Sequence, residues 1–218
     1  MKICLVSSSF YPATFYGGPI SATWDLSKKL TDQNIEVFVS TTNANGNKKL
    51  DVLTNKFIKQ HQNLFVKYYN EQILNKFSFQ FILGIWSDIK KSDVVYIQYL
   101  FHYTVFFALI FSVFQKKRII ICPRGCFSEW ALYYKYNWIK RVYIALFVQP
   151  FSLKVIWQAS SYLEEQDILR EFPRGKVVVI NDGVNFKSFQ HVSQINCVDL
   201  VGQFTGKHYN DISNLFVA

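Results

Sequence analysis

Two adjacent glycines ahead of a predicted helix could bind an anion through bare backbone. Gly17 and Gly18 follow the apolar run Ile3–Val6 and precede Pro19, a residue that suits the first turn of a helix. Without side chains, backbone N–H groups can approach an oxygen-rich ligand closely, and the helix N-terminus adds the positive end of a dipole. The loop therefore predicts a diphosphate-binding site. An ordinary glycine turn is the alternative, because the G-x-G-x-x-G spacing of a dinucleotide-binding fold is absent.

Two further side chains with useful chemistry also follow predicted strands. Arg124 comes directly after the strand Arg118–Cys122, where a guanidinium can bind a phosphate or offset the charge of a leaving group. Gly125, behind it, lets the chain turn into the next helix. His102 follows another predicted strand and can lie near a bound acceptor. The alternatives are a surface salt bridge for Arg124 and a half-buried, hydrogen-bonded imidazole for His102.

The elements that must position these residues alternate along the chain. Short apolar runs predict strands at Lys2–Ser7, Ile35–Thr41, Leu64–Tyr69, Val94–Gln98, Arg118–Cys122, Val155–Gln158 and Val177–Ile180. Patterns between them predict helices at Pro19–Leu30, Gln72–Ile89, Thr104–Phe114, Ser128–Phe147 and Ser161–Phe172. This alternation predicts an α/β fold, with a Rossmann-like parallel β-sheet and helices on both faces. A polar, glycine-containing stretch at 42–51 predicts a mobile loop.

The longest apolar stretch, Val94–Phe114, is long enough to span a bilayer and precedes a basic cluster. Gln98 and His102 interrupt it, however. Its first part is typical of a β-branched strand, and Thr104–Phe114 is typical of a buried helix. We therefore expect a strand followed by a helix, with a transmembrane span as the alternative. We expect no secretory signal, because the run Ile3–Val6 is too short for an apolar signal core.

Positive charge is concentrated in one segment of the chain. The 218 residues include 24 Lys and Arg and 15 Asp and Glu, which gives a net charge of +9. Eight basic residues and one acid, Glu129, lie between Gln115 and Val155. This distribution suits a phosphate, a nucleic acid or an anionic membrane, and a solvated basic face is the alternative. Because no helix-turn-helix, zinc or RNA-binding motif accompanies the charge, we expect no nucleic-acid partner.

Aromatic residues accompany this charge. The segment Phe127–Phe151 combines nine aromatic residues with Lys135, Lys140 and Arg141, and its apolar residues are partly helix-periodic. Aromatic rings beside lysines are typical of a helix that lies on anionic lipid head groups. A core helix with a basic outer side is the alternative.

The four cysteines form no metal-ligand pattern, and we expect them to be reduced, as in a cytosolic protein.

Four motifs, each behind a predicted strand, resemble the N-terminal domain of the group 1 (family 4) glycosyltransferases. They are the Gly17–Gly18 loop, "PRGCFSEWALYYKYNWIKRVYIAL" from Pro123, "QASSYLEEQDI" from Gln158 and "INDGVNF" from Ile180. The residues of the second motif that fit the family are Pro123, Arg124, Gly125, Trp130, Ala131, Leu132, Lys135, Lys140 and Tyr143. The resemblance extends from Met1 to about Phe189, and it implies a GT-B architecture of two facing Rossmann-like domains.

Two of these motifs depart from the family's pattern. The segment Gln158–Ser161 reads Gln-Ala-Ser-Ser where His-Ala-Thr-Ser is usual, although Glu164 takes the expected acidic position. In the segment Asp182–Asn185, Asp and Asn are exchanged relative to the usual Asn-Gly-Val-Asp. Both departures keep hydrogen-bonding capacity, so they weaken the resemblance only slightly.

The resemblance implies a glycosyltransferase that moves a sugar from a UDP- or GDP-sugar to a polysaccharide or lipid-linked acceptor. Retention of configuration is implied, without a metal or a tightly bound cofactor. Catalytic roles are implied for Arg124 and His102. The residues expected to contact substrate or phosphate are Gly17, Gly18, Gly125, Trp130 and Lys135. The resemblance also implies a cytoplasmic protein that lies on the inner membrane face.

The expected organisation is a Rossmann-like, acceptor-side domain at 1–189. A linker and the first strand of a C-terminal donor-binding domain are expected at 190–218. Because the second domain holds most of the donor in this family, we expect this chain alone to transfer no sugar. The alternative is a stand-alone Rossmann-type nucleotide-binding module. Ser40 and Thr41, at the end of the second predicted strand, offer no carboxylate to a dinucleotide ribose, which argues against a dinucleotide ligand.

Overall fold

The computed structural model describes residues 1–72, 77–134 and 136–183. The strands are β1 (Lys2–Val6), β2 (Glu36–Thr42), β3 (Ala44–Asn45), β4 (Lys48–Lys49), β5 (Phe57–His61), β6 (Leu64–Tyr69), β7 (Val94–Gln98), β8 (Arg118–Cys122), β9 (Val155–Ala159) and β10 (Lys176–Val179). The helices are α1 (Gly18–Asp32), α2 (Phe79–Lys90), α3 (Tyr103–Phe114), α4 (Glu129–Tyr133), α5 (Asn137–Tyr143) and α6 (Tyr162–Glu171). A π-helical segment, Ile144–Val148, continues α5. Lys135 and the predicted segment 190–218 lie outside the described residues.

Eight strands form one sheet in the order β10-β9-β8-β7-β1-β2-β6-β5. Neighbouring strands are parallel except at the β5 edge, where β5 pairs antiparallel with β6. From β1 the chain first builds the β2 and β6 side of the sheet and then returns to β7 on the opposite side of β1. The strand order therefore reverses between β1 and β7, and a crevice is expected where their following loops diverge.

The two faces of the sheet bury separate apolar cores, because alternate residues of a strand point to opposite sides. In β1, Cys4 and Val6 belong to the core that α2, α3 and α6 cover. Ile3 and Leu5 belong to the core that α1 covers. The predicted α/β class, with a Rossmann-like sheet covered on both faces, is confirmed.

Two predicted helices differ from those observed. The predicted helix Gln72–Ile89 is wrong at its start, because Ser78 caps α2 by accepting a hydrogen bond from the Phe81 N–H at 3.1 Å. The predicted helix Ser128–Phe147 is wrong in its continuity. Tyr136 adopts a left-handed φ of 57°, which a helix cannot contain, and so separates α4 from α5.

The apolar stretch at 94–114 is divided between β7 and α3, as predicted. Every residue of β7 is buried in the middle of the sheet, which accounts for its continuous apolar sequence. Within the three described ranges, no helix combines the length and the apolar character needed to cross a membrane.

Candidate functional site

A cleft of about 380 Å³ opens at the carboxyl edge of the sheet where the strand order reverses. The loop after β1 contributes Ser8 and Tyr16 to its walls, and the loop after β7 contributes Tyr99, Phe101 and His102. Ligands of open parallel sheets bind outside the carboxyl ends of the strands, at such a reversal of strand order. This cleft is therefore the candidate functional site.

Gly17 and Gly18 lie at this cleft, because the adjacent residues Tyr16, Pro19 and Ile20 all line it. A Cβ on either glycine would meet no heavy atom within 4 Å, so packing does not require glycine at either position. At Gly17 the backbone requires it, since φ is 70°. At Gly18, the first residue of α1, the missing side chain has no conformational reason and leaves the backbone exposed.

The start of α1 is fixed against the sheet by a buried hydrogen bond. The Thr23 hydroxyl donates to Gln98 Oε1 at 2.6 Å, which joins α1 to the carboxyl end of β7. Around the first turn of α1, the Gly17 N–H donates to the Thr14 carbonyl and the Ile20 N–H donates to the Gly17 carbonyl, both at 3.1 Å, and Pro19 has no N–H. The start of α1 therefore offers an anionic ligand the Gly18 N–H and the helix dipole.

The β3–β4 hairpin supports the loop that leads into Gly17. The Phe15 N–H donates to Asn45 Oδ1 at 3.3 Å, and the Gly46 N–H donates to the Tyr16 hydroxyl at 3.1 Å. Gly46 has a φ of 66°, and a Cβ there would lie 2.7 Å from the Phe15 ring. The stretch at 42–51, predicted to be a mobile loop, therefore contains a hairpin that is hydrogen-bonded to the loop leading into Gly17.

His102 lies between the cleft and α3. Its Nδ1 accepts a hydrogen bond from the Thr104 N–H, which caps α3, and lies 2.8 Å from Thr104 Oγ1. Burial lowers the pKa of His102 to about 4, so the ring is neutral at neutral pH. Because Nδ1 serves as an acceptor, the ring proton lies on Nε2, which makes His102 a hydrogen-bond donor. The ring thus caps a helix and also lines the cleft.

Arg124, at the end of β8, is buried and already paired. Its side chain is 7% exposed and forms an ion pair with Asp182, which follows β10 and is 43% exposed. Its Nε is buried without a hydrogen-bond acceptor among the described residues. The salt bridge considered as the alternative role therefore exists, but its guanidinium is buried rather than on the surface.

Arg124 does not line the cleft, although residues that interact with it do. Burial raises the pKa of the cleft residue Tyr99, and the nearby charge of Arg124 opposes that rise. Arg124 also acts electrostatically on Tyr96 and Cys122, which pack in the core on the α1 side of the sheet. Arg124 is thus coupled electrostatically to the cleft residue Tyr99.

Glu164 holds the loop that carries Arg124. Its Oε1 accepts a hydrogen bond from the Gly125 N–H at 2.7 Å. Its Oε2 accepts from the Ser160 N–H at 2.7 Å and from the Ser160 hydroxyl at 2.6 Å. Glu164 is buried, at 5% exposure, and so joins the loops after β8 and β9. Sequence reasoning assigned Glu164 only an acidic position, and its spacing of three residues from the cap Ser161 was the available signal.

Trp130 lies outside the cleft lining, whereas Gly125 adjoins the lining residue Cys126. Trp130 on α4 is 72% exposed and stacks on Tyr134, with ring centroids 4.8 Å apart. Gly125 has a φ of 73°, which explains glycine at the turn between Arg124 and α4. The contacts to substrate expected for Trp130, Gly125 and Lys135 stay predictions.

Cys126 lines the cleft and brings a thiol to it. Burial raises the pKa of Cys126 to about 11, so the thiol is neutral at physiological pH. A neutral thiol is a weak nucleophile, and the cleft is therefore better suited to hydrogen bonding than to covalent chemistry at Cys126.

Comparison with solved structures finds the same architecture. The chain is similar to Anabaena Alr3699/HepE in complex with UDP-glucose (TM-score 0.60, 15% identity), with 94% of this chain and 50% of that chain covered. It is also similar to the sucrose-phosphate synthase (tll1590) of Thermosynechococcus elongatus (TM-score 0.57, 13% identity), with coverages of 85% and 49%. No protein-family model and no curated protein sequence matches the chain.

The chain thus spans about half the length of the solved structures it matches. Identities of 13% and 15% establish a common fold and do not establish a common activity. The described residues have the Rossmann-like fold found in GT-B glycosyltransferases.

Proposed function

We propose that the chain is the N-terminal, acceptor-side domain of a glycosyltransferase that moves a sugar from a UDP- or GDP-sugar to a polysaccharide or lipid-linked acceptor. The observation that carries the proposal is the cleft at the reversal of strand order, where the bare start of α1 faces the loop of His102. Further support comes from HepE, a protein of similar fold whose structures contain UDP-glucose, or UDP and glucose.

The chemistry of the cleft suits a diphosphate leaving group. The Gly18 N–H at the start of α1, together with the helix dipole, would stabilise the charge that develops when the bond to the sugar breaks. His102 would donate from Nε2 to a hydroxyl or phosphate oxygen. Arg124 would add a charge-assisted hydrogen bond when the diphosphate replaces Asp182 as its partner.

The proposed organisation places the acceptor-side domain at 1–189 and the beginning of a donor-binding domain within 190–218. Because a transferase of this kind places its donor between two domains, the 218-residue chain would bind donor weakly and transfer nothing.

The proposed location is the cytoplasmic face of a membrane. Exposed aromatic residues beside Lys140 and Arg141, such as Trp138 at 72% exposure, support that location.

The test compares the 218-residue chain with the longest natural protein that contains it. Each is incubated with UDP-glucose or GDP-mannose and an extract of cell-envelope polysaccharide and lipid, and the released nucleoside diphosphate is measured. We expect release by the longer protein only, with the sugar recovered on the extract. A longer protein that binds UDP and transfers no sugar would support a stand-alone nucleotide-binding module. Binding of NAD would support the dinucleotide version of that alternative.

A further inference from the structure

A second concavity lies beside the candidate site. This groove has a volume of about 760 Å³, and its walls include Phe101, Phe106, Ile139 and Phe147. Phe101 and His102 line both the groove and the cleft, so the two cavities adjoin. A molecule that lies in the groove therefore reaches the candidate site with one end.

The walls of the groove are apolar and partly exposed to water. The rings of Phe106 and Phe147 meet edge to face at 4.8 Å, and those of Phe101 and Tyr143 meet at 5.9 Å. Ile139 is 45% exposed and Phe147 is 37% exposed. Leaving such a concave apolar surface in water costs free energy that an apolar ligand would recover. The hydroxyls of Tyr103 and Tyr143 are already hydrogen-bonded, to the Ser78 N–H at 3.0 Å and the Leu100 carbonyl at 3.1 Å, which leaves His102, Tyr136 and Lys140 as the polar residues of the groove.

Lys140 supplies a positive charge at the end of the groove next to the cleft. Its Nζ lies 5.6 Å from the centroid of the Phe101 ring and donates to the Ala131 carbonyl at 2.6 Å. Within the part of the chain that the structure describes, Lys140 has no ion-pair partner. The acid nearest in sequence, Glu129, pairs with Arg170 at 3.3 Å. The groove is thus an apolar channel with a cation at its junction with the cleft.

We propose that this groove binds the apolar chain of a lipid phosphate, with the phosphate at the junction near Lys140 and His102. The proposal rests on the proposed function and names the acceptor class, because a sugar or hydroxyl carried on the phosphate would then enter the cleft. A long hydrocarbon chain is the occupant that the walls favour, since it is narrow and without hydrogen-bonding groups, and a farnesyl chain serves as its probe. A bilayer surface would instead contact the outer apolar residues, such as Leu146.

The experiment titrates farnesyl phosphate, below its micelle concentration, and methyl phosphate into the 218-residue chain by isothermal calorimetry. We expect farnesyl phosphate to bind at least about tenfold more tightly than methyl phosphate. Ile139→Asp places a charge in the groove and should weaken farnesyl phosphate binding by about tenfold or more. Leu146→Asp is the matched control, because Leu146 is 60% exposed and does not line the groove. Its effect should stay below about twofold.

Two further measurements test the contribution of the Lys140 charge and distinguish binding of a single lipid phosphate from docking on a membrane surface. Lys140→Gln should weaken binding of farnesyl phosphate and leave binding of farnesol unchanged. Equal affinity for the two phosphates, or equal loss in the Ile139 and Leu146 variants, would overturn the proposal. Binding to phosphatidylglycerol vesicles without binding to farnesyl phosphate would also overturn it, in favour of docking on a membrane surface. Circular dichroism establishes that each variant is folded.

The outcome is independent of the transferase test, because no donor is present in the titration. Farnesyl phosphate that binds as predicted to a chain whose longer form transfers no sugar would support the groove and refute the transferase. Failure to bind, with a longer form that does transfer sugar, would refute the groove alone.

Discussion

The ends of β1 and β8 each carry an element predicted to bind an anion, and the structure leaves them in opposite states. After β1, Gly17 and Gly18 expose backbone with open space around it. After β8, Arg124 is 7% exposed and paired with Asp182. A buried guanidinium requires a counter-charge, whereas the Gly18 N–H at the helix start can remain solvated until a ligand arrives. The first element is therefore open to a ligand, and the second must exchange one anion for another.

The largest effect is expected at Arg124, which follows β8. If Arg124 contacts the leaving group, Arg124→Ala should lower the turnover of the full-length enzyme by about 10²–10³. Turnover with saturating donor and acceptor is the measurement. Arg170→Ala is a control, because Arg170 is half exposed and pairs with Glu129 and Asp167 away from the cleft lining. A variant that keeps its turnover would show that Arg124 only supports the fold.

The next effect concerns the residue that holds the Arg124 loop. Glu164→Ala leaves the Gly125 N–H and the Ser160 hydroxyl without their acceptor, at a cost of about 3 kcal/mol in unfolding free energy. Urea unfolding measures this cost. Glu165→Ala, on the same helix, should cost less than about 0.5 kcal/mol. Similar losses in the two variants would mean that the buried hydrogen bonds contribute little.

The burial of His102, which lines the cleft, can be tested through the pH dependence of stability. The pKa of His102 is lowered by burial from 6.5 to about 4, so between these values the unfolded chain binds a proton that the folded chain does not. Stability should therefore be complete above pH 6.5 and fall by roughly 2–3 kcal/mol as the pH drops to 4. His102→Asn retains a cap for α3 and removes this titration. Urea unfolding at several pH values should show a smaller loss of unfolding free energy in the variant. Identical losses in the variant and the wild type would contradict a lowered pKa for His102.

The smallest effect is expected at the glycine loop after β1, Gly17 and Gly18. Gly18→Ala adds a methyl group in open space at the start of α1, so stability should not fall. Pyrophosphate binding should nevertheless weaken by about tenfold, because the methyl group obstructs the backbone. Gly17→Ala is the contrasting variant, since its φ of 70° and ψ of −145° lie in a region that is almost confined to glycine, and the change should cost about 1–3 kcal/mol in unfolding free energy. Calorimetry and thermal unfolding separate the two effects, and unchanged pyrophosphate affinity in Gly18→Ala would exclude this loop from the site.

The central strands could be predicted closely because a strand buried on both faces has a continuous apolar sequence. Leu64–Tyr69, Val94–Gln98 and Arg118–Cys122 have the predicted boundaries. The edge strand Phe57–His61 was missed because its last three residues, Lys59 to His61, are polar and exposed. The break at Tyr136 was missed because tyrosine gives no sequence signal for a left-handed conformation.

The candidate site was predictable in its residue types and less so in its contacts. A loop after a strand can be read from the sequence, and the loops of Gly17 and His102 do line one cleft. The partners of the Arg124 loop come from far along the chain, 39 residues away for Glu164 and 58 residues away for Asp182. Such contacts depend on the order of strands β8, β9 and β10, which local patterns do not specify.

The most direct test of the account is calorimetric titration of pyrophosphate into the 218-residue chain and its Asp182→Asn variant. We expect binding to be about tenfold tighter in the variant, because the guanidinium of Arg124 no longer has a competing carboxylate. Glu36→Gln, which makes the same change in charge at the β2 end remote from the cleft, should leave the affinity unchanged. Equal affinity in Asp182→Asn and the wild type would contradict the claim that Arg124 and the start of α1 serve one anion.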